Sequence, residues 1–138
     1  MIPTSGWQFR LFNFPVRVQF SFFLIAVLLG LGSNNLILLL LWVAIVFFSV
    51  LLHELGHAIA FEHYGQAPVI ELHQMGGRTI PTRYAMLSYP KEILINFAGP
   101  LAGFILGGLL IALTRFLPNI QNLYLDYIIF QLIWVNID

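Results

Sequence analysis

The stretch "VLLHELGHAIAFEHYG", Val50 to Gly65, carries the side chains best suited to chemistry. His53 and His57 are four residues apart. On an α-helix that is about 40° of rotation and one turn of rise, so both imidazoles can face one point. Glu54 stands roughly 100° round from His53 and within reach of that point. Two neutral imidazoles with an adjacent carboxylate form the H-E-x-x-H pattern, in which the histidines bind Zn²⁺ and the glutamate accepts a proton from water that the metal activates. The metal lowers the pKa of that water to about 7, and hydrolysis of a carbonyl compound such as a peptide follows naturally.

The surroundings sharpen the reading. No charged residue occurs between Arg17 and His53, or between Glu92 and Arg115. A charge at the centre of a membrane helix costs about 2.5–3.5 kcal/mol on insertion scales, so such groups need partners or water. Interhelical hydrogen bonding alone is a poor reason to keep three polar groups there, and metal hydrolysis is the better one. Bis-histidine haem ligation fits badly, because one helix cannot place two imidazoles on opposite faces of a porphyrin. His63 completes the spacing H-E-x-x-H-x-x-G-x-x-H, but the glycine position is Ala60. On a continuing helix His63 points about 120° from His57 and about 9 Å further along, which makes it an interfacial histidine. Glu71, His73 and Glu92 are conceivable third ligands, but His73 alternates along a strand pattern, and Glu71 and Glu92 read as interfacial charges.

Of 138 residues, 59% are hydrophobic and 9% charged, against roughly 25% charged in soluble domains; mean hydropathy is +0.88. The composition indicates a mainly α integral membrane protein. Six basic and six acidic residues leave no patch to neutralise a run of phosphates, so nucleic acid is excluded as a partner. With no cysteine, any metal site is built from His, Asp and Glu.

The elements that position the motif follow from periodicity. Residues 5–20 alternate large apolar side chains (Trp7, Phe9, Leu11, then Val16, Val18, Phe20) with Gln8, Arg10, Arg17 and Gln19, an interfacial β-hairpin broken at Asn13-Phe14-Pro15. A first helix occupies 20–32, with Ser33-Asn34-Asn35 as its polar exit. A signal peptide is the competing reading, against which the long, strand-patterned basic region weighs. A second helix covers 36–64, ended by Gly65 and Pro68. Residues 66–89 form a hairpin loop with its turn at Gly76-Gly77. In a third helix, 91–117, Gly99, Gly103 and Gly107 make a flat packing stripe. Residues 123–138 begin a fourth apolar helix that stops short of spanning. The expected fold is thus three complete transmembrane helices, the start of a fourth, and a small sheet at the cytoplasmic interface. The basic residues place the N-terminus in the cytoplasm, with Arg10, Arg17, Arg78, Arg83 and Lys91 inside and Arg115 outside.

Four stretches together, "FRLFNFPVRVQFSFF", "HELGHAIA", "MGGRT" and "INFAGPLAGF", make the chain resemble the site-2 protease family of intramembrane zinc metalloproteases. The resemblance implies that His53 and His57 bind one zinc ion, that Glu54 is the general base, and that the substrate is a transmembrane segment of another protein, cut in or near the lipid bilayer of a bacterial cell membrane. The family's third ligand is an aspartate in an Asn-Pro-Asp-Gly type motif on the following helix. Asn136-Ile137-Asp138 lacks the proline and the trailing glycine. Asp138 is therefore not assigned, the third ligand is expected beyond it, and the 138 residues alone are expected to be inactive. An unwound substrate is expected to add as a strand to the sheet around Val69 to Ile80. The alternative functions are a non-catalytic, substrate-binding membrane scaffold and a metal or proton transporter. Against the transporter, no second row of acidic or histidine residues lines the other helices.

Overall fold

The computed structural model describes residues 6–32, 35–83, 87–116 and 123–137. The expected Ser33-Asn34 exit of the first helix and Asp138 lie outside them. Two strands, β1 (Trp7–Leu11) and β2 (Phe14–Val18), lead into helix α1 (Phe20–Leu29) and the long helix α2 (Leu36–His63). The strands β3 (Pro68–His73) and β4 (Gly76–Pro81) follow, then helices α3 (Tyr89–Phe116) and α4 (Leu123–Ile137).

The four strands form one sheet in the order β1-β2-β3-β4. The two hairpins are antiparallel and meet through a parallel β2–β3 ladder that pairs Val16 with Ile70, Arg17 with Glu71 and Val18 with Leu72. A parallel pair requires a crossover, and α1 with α2 supplies it. The alternation expected for β2 is present: Phe14, Val16 and Val18 point into the core with Ile70 and Leu72, and Phe22, Leu51 and Ala58 from the helices close it. Pro15, which has no N–H, pairs with Arg10 one residue before the parallel ladder starts, so β3 asks it for no hydrogen bond.

Two turns depart from the sequence expectation. The first lies at Phe12-Asn13, with φ of 49° and 68°, and β2 begins at Phe14. The second lies at Gln74-Met75, and Gly76 and Gly77 are the first residues of β4. Glycine is required at 77 for a reason local turn chemistry does not contain: a Cβ there would stand 2.8 Å from Glu54 Cγ and 2.9 Å from Val50 Cγ1. The missing side chain is what lets β4 approach α2.

Among the described residues two helices are long and apolar enough to cross a membrane, α2 and α3, where the sequence led us to expect three. Helix α1 stops after ten residues, about 15 Å. Gly30 caps it under α2, where a Cβ would meet Trp42 and Leu39, and Trp42 Nε1 donates to Ala26 O at 3.2 Å. In α2 and α3 only 17% and 22% of the spanning window is buried against protein. Leu40, Phe48, Ile59, Phe97, Leu101 and Phe104 are exposed. The core helix of a soluble protein would be mostly covered, whereas these two present long apolar faces, as membrane-spanning helices do.

Glu71 differs from its expectation as an interfacial charge. It is 4% exposed and accepts from Arg78 Nη2 at 2.7 Å, Arg78 Nε at 3.2 Å, Gln19 Nε2 at 3.2 Å and Arg17 Nη1 at 3.4 Å. A strand pattern assigns a face but not the partners that neighbouring strands bring. Arg78 is largely in solvent, so its pair contributes little, whereas Arg17 is 14% exposed and its Nε has no partner among the described residues. Glu71→Ala would leave a buried guanidinium uncompensated. We expect it to destabilise the fold by about 3 kcal/mol, read as a lowered thermal midpoint in detergent, and Glu71→Gln by less.

Candidate metal centre

The site forms where α2, α3 and β4 meet. Along α2, His53 and His57 project from successive turns of one face, and their Nε2 atoms stand 3.2 Å apart. The second ring is oriented from α3, where the Ile95 carbonyl accepts a hydrogen bond from His57 Nδ1 at 2.7 Å. That fixes the tautomer: the proton sits on Nδ1 and the Nε2 lone pair faces His53. Pro100, inside α3, withholds the N–H that the Asn96 carbonyl would accept and crowds the same helical turn, which is the turn presenting Ile95.

Glycines set the helix separation. A Cβ on Gly56, within the "HELGH" stretch, would overlap the Ala98 carbonyl oxygen of α3. One on Gly99 would overlap His57 Nε2 and stand 2.8 Å from His53 Nε2. Gly99, Gly103 and Gly107 are all buried, as a packing stripe requires, and Gly99 also serves as the floor under the two imidazoles. Sequence spacing marked the stripe without showing which member touches the histidines.

Glu54, 5% exposed, is held from the sheet side. Thr79 Oγ1 lies 2.8 Å from its Oε2 and 3.0 Å from its backbone oxygen. Thr79 and Gly77 are two apart on β4 and share the face turned to α2. A cleft of about 270 Å³ opens between β4 and α3, with Ser49, Val50, His53, Glu54, Gly77 and Pro100 on its wall.

The donor set fits a metal of zinc's size. Two nitrogens bound at about 2.0–2.1 Å by a tetrahedral ion lie roughly 3.3–3.4 Å apart, close to the separation found. Among the described residues no third His, Cys, Asp or Glu joins the pair. His63 ends α2, exposed and packed on Tyr64 at 5.0 Å between ring centroids. His73 Nδ1 accepts from Met75 N at 3.1 Å, Glu71 is committed to the arginines, and Glu92 is exposed in the first turn of α3.

Comparison with known proteins gives the same direction. No family model matches the chain. A zinc metalloprotease of Methanocaldococcus jannaschii is 34% identical over 125 residues, covering 86% of this chain and 35% of that protein. The solved structure of a site-2 protease from the same organism superposes with a TM-score of 0.68 at 26% identity, over 96% of this chain and 62% of that one. The chain thus spans about a third of the curated relative's length.

Proposed function

The chain belongs to the site-2 protease family, and from that premise we propose that it carries the metal-binding part of an intramembrane zinc metalloprotease that hydrolyses peptide bonds in or near transmembrane segments of other proteins. The observation that carries this reading is the cleft: His53 and Glu54 share its wall, within a helix that is apolar enough to span a membrane.

In this mechanism His53 and His57 would hold the metal through Nε2, and the third protein ligand that a catalytic zinc needs would have to join them from outside the described residues. Bound zinc supplies Lewis acidity that brings water ionisation toward neutral pH. Glu54 takes the proton of the attacking water on its carboxylate and delivers it to the leaving amine nitrogen. The carbonyl of Ile95 keeps His57 in the ligating tautomer, and the α2–α3 contact through Gly56 and Gly99 keeps the two imidazoles in register.

A substrate helix hides its carbonyls in internal hydrogen bonds and must unwind to be cut. β4 closes one side of the sheet order, and its Thr79 touches Glu54, so an unwound segment adding along β4 would pass beside the base. Substituting Gly77 cannot test that addition alone, because a side chain there would strike Glu54. The orientation with a cytoplasmic N-terminus rests on basic residues gathered at one end. Arg10, Arg17 and Arg78 lie in the sheet, and Lys91 sits 5.4 Å over the Tyr64 ring at the end of α2.

The test is reconstitution of the protein in its full length into vesicles with a single-pass substrate whose transmembrane segment carries a helix-weakening Asn-Gly pair. Cleavage mapped by mass spectrometry within or at the edge of that segment is expected. It should be lost on chelation and restored by stoichiometric Zn²⁺. Zinc-loaded protein that binds the substrate without cutting it would favour a scaffold, and ion flux in the absence of cleavage would favour a transporter.

A further inference from the structure

We propose that Thr79 is the positioning residue for Glu54, acting through the hydrogen bond from its hydroxyl to one carboxylate oxygen; the inference rests on the protease reading above. A general base must present one oxygen to the attacking water at a fixed distance and angle, and glutamate, with three rotatable bonds, needs outside contacts to do so. Two contacts act here, both from β4. Gly77 leaves room for the carboxylate, whose Oε1 would be 3.1 Å from a Cβ at that position. Thr79 Oγ1 reaches Oε2 at 2.8 Å.

The same hydroxyl lies 3.0 Å from the Glu54 backbone oxygen. It has one proton to give, and the ionised carboxylate is the stronger acceptor. With that proton on Oε2, the backbone oxygen 3.0 Å away is a close neighbour rather than a second bond, and its proximity shows only that Thr79 lies directly against the turn of α2 that carries Glu54. Thr79 is partly buried and pairs with Ile70, one of the most deeply buried residues of the sheet. Its χ1 is further limited by β-branching. A rigid strand thereby holds the base against the cleft wall, and the strand that would receive substrate is the one that aims the base.

The experiment compares Thr79→Val, which keeps the shape and removes the hydroxyl, with Thr79→Ser, which keeps the hydroxyl, in the protein in its full length. With the single-pass substrate described above, Thr79→Val is expected to lower kcat by about 10- to 100-fold, with KM and bound zinc within twofold of the parent. Thr79→Ser should recover most of the loss. A second measurement needs no turnover: with ¹³C-carboxyl glutamate, the infrared band assigned to Glu54 by subtraction of Glu54→Gln should shift in Thr79→Val and stay in place in Thr79→Ser. Equal activity in parent and Thr79→Val, equal impairment in both variants, or an unmoved infrared band would each overturn the assignment. A parent protein that holds zinc and cleaves nothing would instead overturn the protease reading, and Thr79's part in turnover with it.

Discussion

Glu54→Gln should lower cleavage by about a thousandfold while leaving zinc bound. A general base accounts for roughly 10²–10⁴ of a hydrolase's rate, and the amide cannot take the proton. Zinc should stay because the two imidazole nitrogens, 3.2 Å apart, do not depend on the carboxylate for their position. His57 is oriented by Ile95 on α3, and Glu54 is anchored separately by Thr79. The substitution keeps the side chain's size and leaves an oxygen to accept from Thr79, so its cleft wall is unchanged. His57→Ala should behave differently and lose zinc together with activity. The measurement is paired: cleavage rate with the single-pass substrate, and zinc per chain by elemental analysis after dialysis. Activity within tenfold of the parent would remove Glu54 from the base role, and loss of zinc would make it a metal-supporting residue.

The second large effect is expected from one methyl group. Gly99→Ala puts a Cβ into His57 Nε2 and within 2.8 Å of His53 Nε2, the two atoms that would face the metal. Either the rings turn away or α3 retreats from α2. Retreat is resisted at the next contact, where Gly56 already brings α2 against the Ala98 carbonyl, and overpacking of this kind costs about 1–3 kcal/mol. Disturbing the groups that orient metal ligands costs about 10- to 100-fold in metal affinity. We therefore expect zinc affinity to fall by about 10- to 100-fold, with a moderate drop in thermal midpoint. Gly108→Ala is the control, because a Cβ there meets nothing within 4 Å; it should bind zinc as the parent does. A competitive zinc titration on both variants reads the difference.

The features legible in the sequence were those set by short-range periodicity. The spacing of His53 and His57 on a continuous helix fixes a shared direction, and Ala60 in place of glycine correctly kept α2 helical to His63. The alternation around Val16 and Val18 gave the buried face of β2, and the apolar runs gave α2 and α3. The length of α1 was not legible, because Gly30 ends it under Trp42, a contact made across the α1–α2 connection. The Gly76-Gly77 pair read as a turn because glycine pairs often are turns. Gly76 does serve the turn, with a φ of 121°, but the reason for Gly77 is the approach of Glu54, 23 residues earlier in the chain. Glu71 read as interfacial because its partners Arg17 and Arg78 come from two other strands. Thr79 and the Ile95 carbonyl, which orient the base and one ligand, carry no signal of their own in the sequence: one is an ordinary strand residue and the other a backbone group.

If His53 and His57 together hold zinc beside a base that does not itself bind it, X-ray absorption at the zinc edge, recorded on zinc-loaded Glu54→Gln protein in its full length, should show one zinc per chain with two imidazole ligands at about 2.0–2.1 Å, and the parent should give the same spectrum. A shell with fewer than two imidazoles, or one that changes when Glu54 is replaced, would overturn that arrangement.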